Sequence, residues 1–157
     1  MNNTALLNEI ASSFQVVPMP SKGALSIHQR DCPQCAYLRS YLEEQRDRKI
    51  TGDVIRYLHN ELSCLSTAGL KWILPHYLEF CLTPEAEYSK LETEFLIYHL
   101  GPELKFQHEA KAQLSCLHQK QIDCLVHFLE WCEIHPSWSE YCPDDIQRAL
   151  NFMRTLL

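Results

Sequence analysis

The segment HQKQIDCLVHFLEWCEIH, residues 118–135, decides the fold class of this sequence. Its apolar residues recur at intervals of three and four, a spacing that places them on one face of an α-helix: Ile122, Leu125, Val126, Leu129 and Cys132. Phe128 and Trp131 widen this face, and the pair His135-Pro136 ends the helix. We expect this helix to be the most deeply buried one.

Similar patterns on both sides predict an all-α domain, an irregular bundle of six to eight helices. Pro75 interrupts the apolar segment 66–82 and predicts two short helices there, because proline removes a helical hydrogen bond. Pro18 and Pro20 exclude regular helix from residues 15–31, which we interpret as an irregular arm. Alternating residues at 24–28 indicate a short extended piece within it. The remaining apolar patterns predict helices at residues 3–14, 32–49, 54–62, 88–100 and 143–153.

The length of 157 residues is typical of a single domain, and no Gly-, Pro- or Ser-rich linker divides it. We therefore treat residues 1–157 as one helical domain. A chain of this size buries a sufficient core without needing a disulfide or a metal for stability. The size of the chain therefore gives no reason to expect a metal ion, and only the presence of suitable ligand residues can indicate one.

The formal net charge of −6 disfavours a nucleic-acid partner, because such proteins usually present a basic face to phosphate groups. An acidic surface is compatible with a basic protein partner. No secretory signal precedes the first helix pattern, and no apolar run approaches the roughly 20 residues of a membrane span. These features predict a cytoplasmic protein with no membrane partner.

Eight cysteines in a cytoplasmic chain are expected to be reduced thiols unless they bind metal or act in redox chemistry. Five of them fall within apolar patterns and are expected to pack as small core residues: Cys64, Cys81, Cys116, Cys124 and Cys132. A Cys124-x2-His127 pair lies within the helix at 118–135, where core packing explains it better than metal binding does.

The pattern His28-x3-Cys32-x2-Cys35 carries the strongest chemical signal. Two thiolates separated by two residues can reach one tetrahedral Zn²⁺ ion from a tight turn, and His28 is close enough in sequence to be a third ligand. The motif contains no fourth ligand. Candidates elsewhere are Asp31, His59, Cys64 and Cys142, of which we favour Cys64.

Two other interpretations of these cysteines remain open. Cys32 precedes a helix, and a helix N-terminus stabilises a thiolate, so Cys32 and Cys35 could form a redox-active dithiol. Alternatively, both cysteines are structural residues at a helix cap, and His28 is an ordinary loop residue.

Three ordered segments resemble a family of small bacterial proteins of unknown function. They are residues 28–35 with the His-x3-Cys-x2-Cys motif, residues 65–78 with Leu74-Pro75-His-Tyr77-Leu78, and residues 117–130. This sequence departs from the family pattern at Gln34, where an acidic residue is usual, and at His76. The resemblance implies no particular activity, but it suggests that the residues of the motif form a functional site.

The sequence contains no nucleophile elbow, phosphate-binding loop or metalloprotease motif. We therefore predict a non-enzymatic helical domain that acts through protein contacts and carries a small Cys/His site for zinc. The alternatives are a thiol redox protein that uses Cys32 and Cys35, and an enzyme with an unrecognised pocket. An aromatic cluster of Trp72, Tyr77, Phe80 and Tyr88, together with the helix at 118–135, would line such a pocket, although core packing explains the cluster more simply.

Overall fold

Several helices begin where a short polar side chain accepts a hydrogen bond from a free backbone N–H group. The Asn2 side chain accepts a bond from the N–H of Ala5 at 2.9 Å, and the Ser66 hydroxyl accepts one from the N–H of Gly69 at 3.0 Å. The structure, a computed structural model, describes residues 2–157, and within this range it confirms the all-α prediction.

These residues form ten α-helices, more than the six to eight expected from periodicity, because the additional short ones have little periodic pattern. The helices are α1 (Asn3–Ser13), α2 (Pro33–Glu44), α3 (Gly52–Leu58), α4 (Thr67–Cys81), α5 (Pro84–Ser89), α6 (Leu91–Leu100), α7 (Gln107–Leu114), α8 (Gln119–Ile134), α9 (Pro136–Ser139) and α10 (Pro143–Arg154). Single 3₁₀ turns lie at Lys22–Ala24, Leu62–Cys64 and Leu104–Phe106.

Helix α8 packs against α1, α9 and α10, and its predicted apolar face is buried. The Gln121 side chain accepts a hydrogen bond from the backbone N–H of His118 and so fixes the start of the helix. The prediction that α8 is the most deeply buried helix is not met. Ten of the 15 residues of α4 are buried, against nine of 16 in α8.

Helix α4 runs without interruption through Pro75, so the prediction of two short helices is wrong. Proline costs this helix one backbone hydrogen bond, but residues on both sides of Pro75 are buried, among them Leu74, Tyr77 and Leu78. Burial of several large side chains outweighs the loss of one hydrogen bond. Tertiary packing therefore keeps this segment helical in spite of the low helix propensity of proline.

The predicted extended piece is reduced to one antiparallel bridge between Ser26 and Leu65. The N–H of Ile27 donates to the carbonyl of Cys64 at 2.9 Å, and the N–H of Ser66 donates to the carbonyl of Leu25 at 3.0 Å. These bonds place the arm, residues 15–31, beside the 3₁₀ turn at Leu62–Cys64. Two segments about forty residues apart in sequence are thereby brought to one place.

Among residues 2–157, no helix is both long enough and apolar enough to cross a membrane.

Candidate metal centre

The first turn of α2 holds the two cysteines of the motif. Pro33 occupies the first helical position, where its fixed φ suits the helix and its missing N–H costs nothing. The residue before a proline favours an extended backbone, and Cys32 has φ −119° and ψ 100°. Its sulfur accepts a hydrogen bond from the N–H of Cys35 at 3.4 Å. The two sulfurs therefore lie on the same side of the turn.

His28 reaches this turn because the arm folds back before α2. Asp31 has a φ of 59°, a left-handed conformation that reverses the chain between His28 and Cys32. Nδ1 of His28 lies 3.7 Å from Sγ of Cys35. The ligand atoms of His28, Cys32 and Cys35 all lie within 4.8 Å of one another. This group could therefore hold a metal ion.

The three residues lie at the surface and are buried to different extents. His28 is exposed, Cys32 is half-buried, and Cys35 is fully buried. A shallow groove of about 450 Å³ opens beside Cys32 and is lined by Gln29, Arg30, Asp31, Cys32, Pro33, Ala36 and Arg39. An ion can therefore enter from solvent without any rearrangement of the core.

The pKa of the Cys32 thiol is lowered, chiefly because the backbone N–H of Cys35 donates to its sulfur. A further contact with the Cys35 side chain, the N–H of Gln34 and the charge of Arg39 act in the same direction, while burial opposes them. These donors favour the thiolate, which is the form that binds metal or attacks a disulfide.

Cys64 lies next to this group, at the end of the 3₁₀ turn that pairs with the arm. Burial, the charge and side chain of Cys35, and the charge of Glu61 raise the pKa of the Cys64 thiol to about 12. Cys64 is not one of the three residues whose ligand atoms are mutually within 4.8 Å, but Cys35 is near enough to help raise the pKa of its thiol.

The other three fourth-ligand candidates are not part of the group. The His59 ring packs edge-on against Phe95 at 4.8 Å, and its Nδ1 bonds the carbonyl of Arg56. Asp31 is exposed in the turn, and Cys142 is buried at the start of α10. Of the two cysteines among the four candidates, only Cys64 has a pKa that Cys35 helps to raise.

Arg39 and Ser26 support the site, and the sequence contains no signal for their role. Nη1 of Arg39 donates to the carbonyl of His28 and to Oγ of Ser26, both at 2.6 Å. Ser26 Oγ in turn donates to the same carbonyl at 3.0 Å. Because Arg39 belongs to α2, these bonds tie the residue that carries the imidazole to the helix that carries both thiols.

All eight cysteines lie within residues 2–157 and are free thiols. Of the five expected in the core, Cys81, Cys124 and Cys132 are buried, whereas Cys64 and Cys116 are half-buried, which corrects the prediction for those two. Both follow the ends of short helical segments, where an apolar neighbourhood in sequence does not ensure enclosure.

The second cysteine–histidine pair has other partners. Nδ1 of His127 lies 2.7 Å from a carboxylate oxygen of Glu9 on α1, and Cys124 is buried in the core. Cys124 therefore packs in the core as predicted, whereas the His127 side chain is 42% exposed and joins α8 to α1 through Glu9, which corrects its interpretation as a core residue.

Three of the four aromatic residues expected near an enzyme pocket belong to the core, whereas Tyr88 is 93% exposed, which corrects the core interpretation for that residue. Trp72, Tyr77 and Phe80 are buried, and the Tyr77 hydroxyl donates to the backbone carbonyl of Glu92 at 2.8 Å. Packing accounts for all three side chains without a ligand.

Comparison with known protein families, with curated protein sequences and with solved structures gives no match to this chain.

Proposed function

We propose that His28, Cys32, Cys35 and Cys64 bind one Zn²⁺ ion. This ion would stabilise the structure of a helical domain that acts through protein contacts. The observation that carries the proposal is the convergence of His28, Cys32 and Cys35 within 4.8 Å. The contact between Cys64 and Cys35 supports Cys64 as the fourth ligand.

Zinc fits this donor set better than other common ions. Thiolate and imidazole ligands suit Zn²⁺, whereas Mg²⁺ and Ca²⁺ prefer oxygen ligands. Tetrahedral zinc, with Zn–S near 2.3 Å and Zn–N near 2.0 Å, places neighbouring sulfur and nitrogen ligands about 3.5 Å apart. The separation of 3.7 Å between Nδ1 of His28 and Sγ of Cys35 is close to that value.

A four-ligand site of this kind would be structural, because it leaves no open coordination position for a substrate. Its ligands come from the arm, from the first turn of α2 and from the 3₁₀ turn at Leu62–Cys64. The arm is otherwise held by the Ser26–Leu65 bridge and by a few side-chain bonds. Zinc would add its binding free energy to this attachment.

Zinc content of the purified protein tests the proposal. Protein prepared without chelator is expected to contain about one zinc per chain, measured by mass spectrometry of the metal. His28→Ala and Cys32→Ser alter residues that are not fully buried, so each is expected to fold and to lose most of the zinc. Cys116→Ser removes a half-buried thiol elsewhere and is the matched control.

Cobalt substitution tests Cys64. The Co²⁺ protein is expected to show intense sulfur-to-metal charge-transfer absorption that weakens by about one-third in Cys64→Ser, because one of three thiolate ligands is lost. An unchanged spectrum would remove Cys64 from the site. Substoichiometric zinc that Cys32→Ser leaves unchanged would refute the metal site itself.

A second candidate is thiol–disulfide exchange, favoured by the hydrogen bond from the N–H of Cys35 to the sulfur of Cys32. The Cys32 thiolate would attack a disulfide substrate and form a mixed disulfide. Cys35 would then displace the second substrate thiol, so that one substrate disulfide becomes two thiols as Cys32 and Cys35 become a disulfide. Reversible formation of that disulfide near the glutathione potential, in zinc-free protein, would support this candidate over the metal site.

A further inference from the structure

Helix α6 has an unusual surface for a helix at the outside of a protein. Its inner face is buried through residues such as Leu96, Ile97 and Leu100. Its outer face carries Leu91 and Phe95, together with Tyr98, at intervals of four and three residues. An amphipathic surface helix normally has polar residues at such positions.

The three outer residues form one continuous feature, which we call the α6 stripe (Leu91, Phe95 and Tyr98). Their exposed fractions are 46%, 36% and 38%. In residues 2–157, no other α-helix exposes more than one large apolar side chain. Isolated exposed apolar residues are ordinary, but a stripe along one helix face indicates a contact surface.

Neighbouring side chains border the stripe without covering it. The His59 ring meets Phe95 edge-on at 4.8 Å. The guanidinium of Arg148 on α10 lies 5.5 Å from the centre of the Tyr98 ring. Both contacts fix the orientation of an aromatic ring, and an aromatic side chain held in place loses little conformational entropy when a partner binds.

The charges around the stripe are predominantly negative. Arg56 is shared among three carboxylates, those of Asp53, Glu85 and Glu92. Glu94, on the edge of the stripe, has the Tyr141 hydroxyl as its hydrogen-bond partner at 3.1 Å. Glu92 is buried, but Asp53 and Glu85 are exposed on helices that contact α6, so with Glu94 the carboxylates still outnumber the guanidinium of Arg56.

The cations close to α6 are already engaged within the chain. Nζ of Lys90 donates to the carbonyl of Ser137 at 3.1 Å and lies 4.9 Å from the centre of the Trp138 ring. Arg148 pairs with Asp145 and donates to the carbonyl of Gly101 at 2.7 Å. Asp145 therefore offsets the charge of Arg148, whereas Lys90 keeps its charge, because a carbonyl and an aromatic ring are neutral partners.

We infer that the α6 stripe binds an amphipathic helix of another protein, with apolar residues facing the stripe and Lys or Arg residues facing its acidic border. This inference rests on the proposed role in protein contacts and specifies the surface and the chemistry of the partner. A second copy of this chain is a poorer occupant, since it would bring one acidic border against another.

A designed peptide pair tests the inference. One fluorescent peptide of about 18 residues has leucine on one helix face and lysine elsewhere; the other has glutamate in place of lysine. Fluorescence anisotropy is expected to show binding of the leucine–lysine peptide and no binding of the leucine–glutamate peptide. In Leu91→Ser/Phe95→Ser, binding of the lysine peptide is expected to weaken about tenfold.

Ile134→Ser is the matched control, because Ile134 is a single exposed apolar residue at the end of α8. It is expected to bind the lysine peptide as the unaltered protein does. Equal binding by the α6 double variant, equal binding of the glutamate peptide, or no binding of either peptide would overturn the inference. Sedimentation that shows a dimer disrupted by the double variant would overturn the choice of occupant.

The zinc content of each preparation separates this inference from the zinc site. Peptide binding that fails in protein with full zinc refutes the α6 surface alone. Peptide binding by protein that was purified without chelator and yet contains no zinc refutes the metal site alone. Circular dichroism of the double variant establishes that its helices are intact.

Discussion

Nη1 of Arg39 lies 2.6 Å from the carbonyl oxygen of His28, eleven residues earlier in the chain. A second bond joins Nη2 of Arg39 to the carbonyl of Gln29 at 3.2 Å. The guanidinium thus holds the backbone of the arm in place at the residue that supplies the imidazole. Residues that orient metal ligands in this way commonly affect affinity although they do not touch the ion.

Replacing Arg39 by methionine is expected to weaken zinc binding about tenfold, because the variant keeps all the proposed ligands but releases the arm. Competition with a chromophoric chelator measures the affinity. Arg30→Met, at an exposed position beside the same groove, is the control and should leave the affinity unchanged. Equal affinities of the two variants would show that the arm needs no support from Arg39.

His99 makes the stability of the fold sensitive to acid. Its Nε2 is buried without a hydrogen-bond partner, and burial lowers the pKa of His99 from 6.5 to about 4, although the neighbouring Gln113 side chain acts in the opposite direction. The folded state therefore favours the neutral imidazole. The resulting contribution is fully present above pH 6.5 and is lost as the pH falls towards 4.

Urea unfolding at two pH values measures this effect. Between pH 7 and pH 5, His99 is expected to account for about 2 kcal/mol of the decrease in unfolding free energy. His99→Gln should lack that part of the decrease, whereas His108→Gln, at an exposed position, should retain it. The burial argument fails if all three proteins lose the same free energy.

Gly101 permits the close approach of α6 and α10. A Cβ atom at this position would lie 2.1 Å from Cα and 2.6 Å from the backbone nitrogen of Ala149. The obstructing atoms are backbone, so a rotamer change cannot relieve the clash, and Gly101→Ala is expected to destabilise the protein by about 1–3 kcal/mol.

The control for this clash is Gly23→Ala in the arm, where the nearest atom to the new Cβ would be Oε1 of Gln29 at 3.6 Å. That variant is expected to unfold within about 0.5 kcal/mol of the unaltered protein in urea. A similar unfolding midpoint for both variants would mean that α10 can move away from α6 at little cost.

The sequence alone determined the helical class of this protein and the positions of most of its longer helices. The spacing of Ile122, Leu125, Leu129 and Cys132 identified the buried face of α8, because the period of an α-helix is a local property of the chain. The motif at residues 28–35 likewise identified His28, Cys32 and Cys35 as neighbours, since a short turn must bring such residues close together.

Features that depend on contacts between residues distant in sequence were decided only by the tertiary structure. The continuity of α4 through Pro75 follows from packing on both sides of the helix, which no local rule includes. The sequence left Asp31, His59, Cys64 and Cys142 as alternatives beside the motif. The pairing of Ser26 with Leu65 brings the turn that carries Cys64 beside the arm, although all four candidates lie outside the group of His28, Cys32 and Cys35. Such pairing depends on the energy of the whole packed chain, and spacing along the sequence does not contain it.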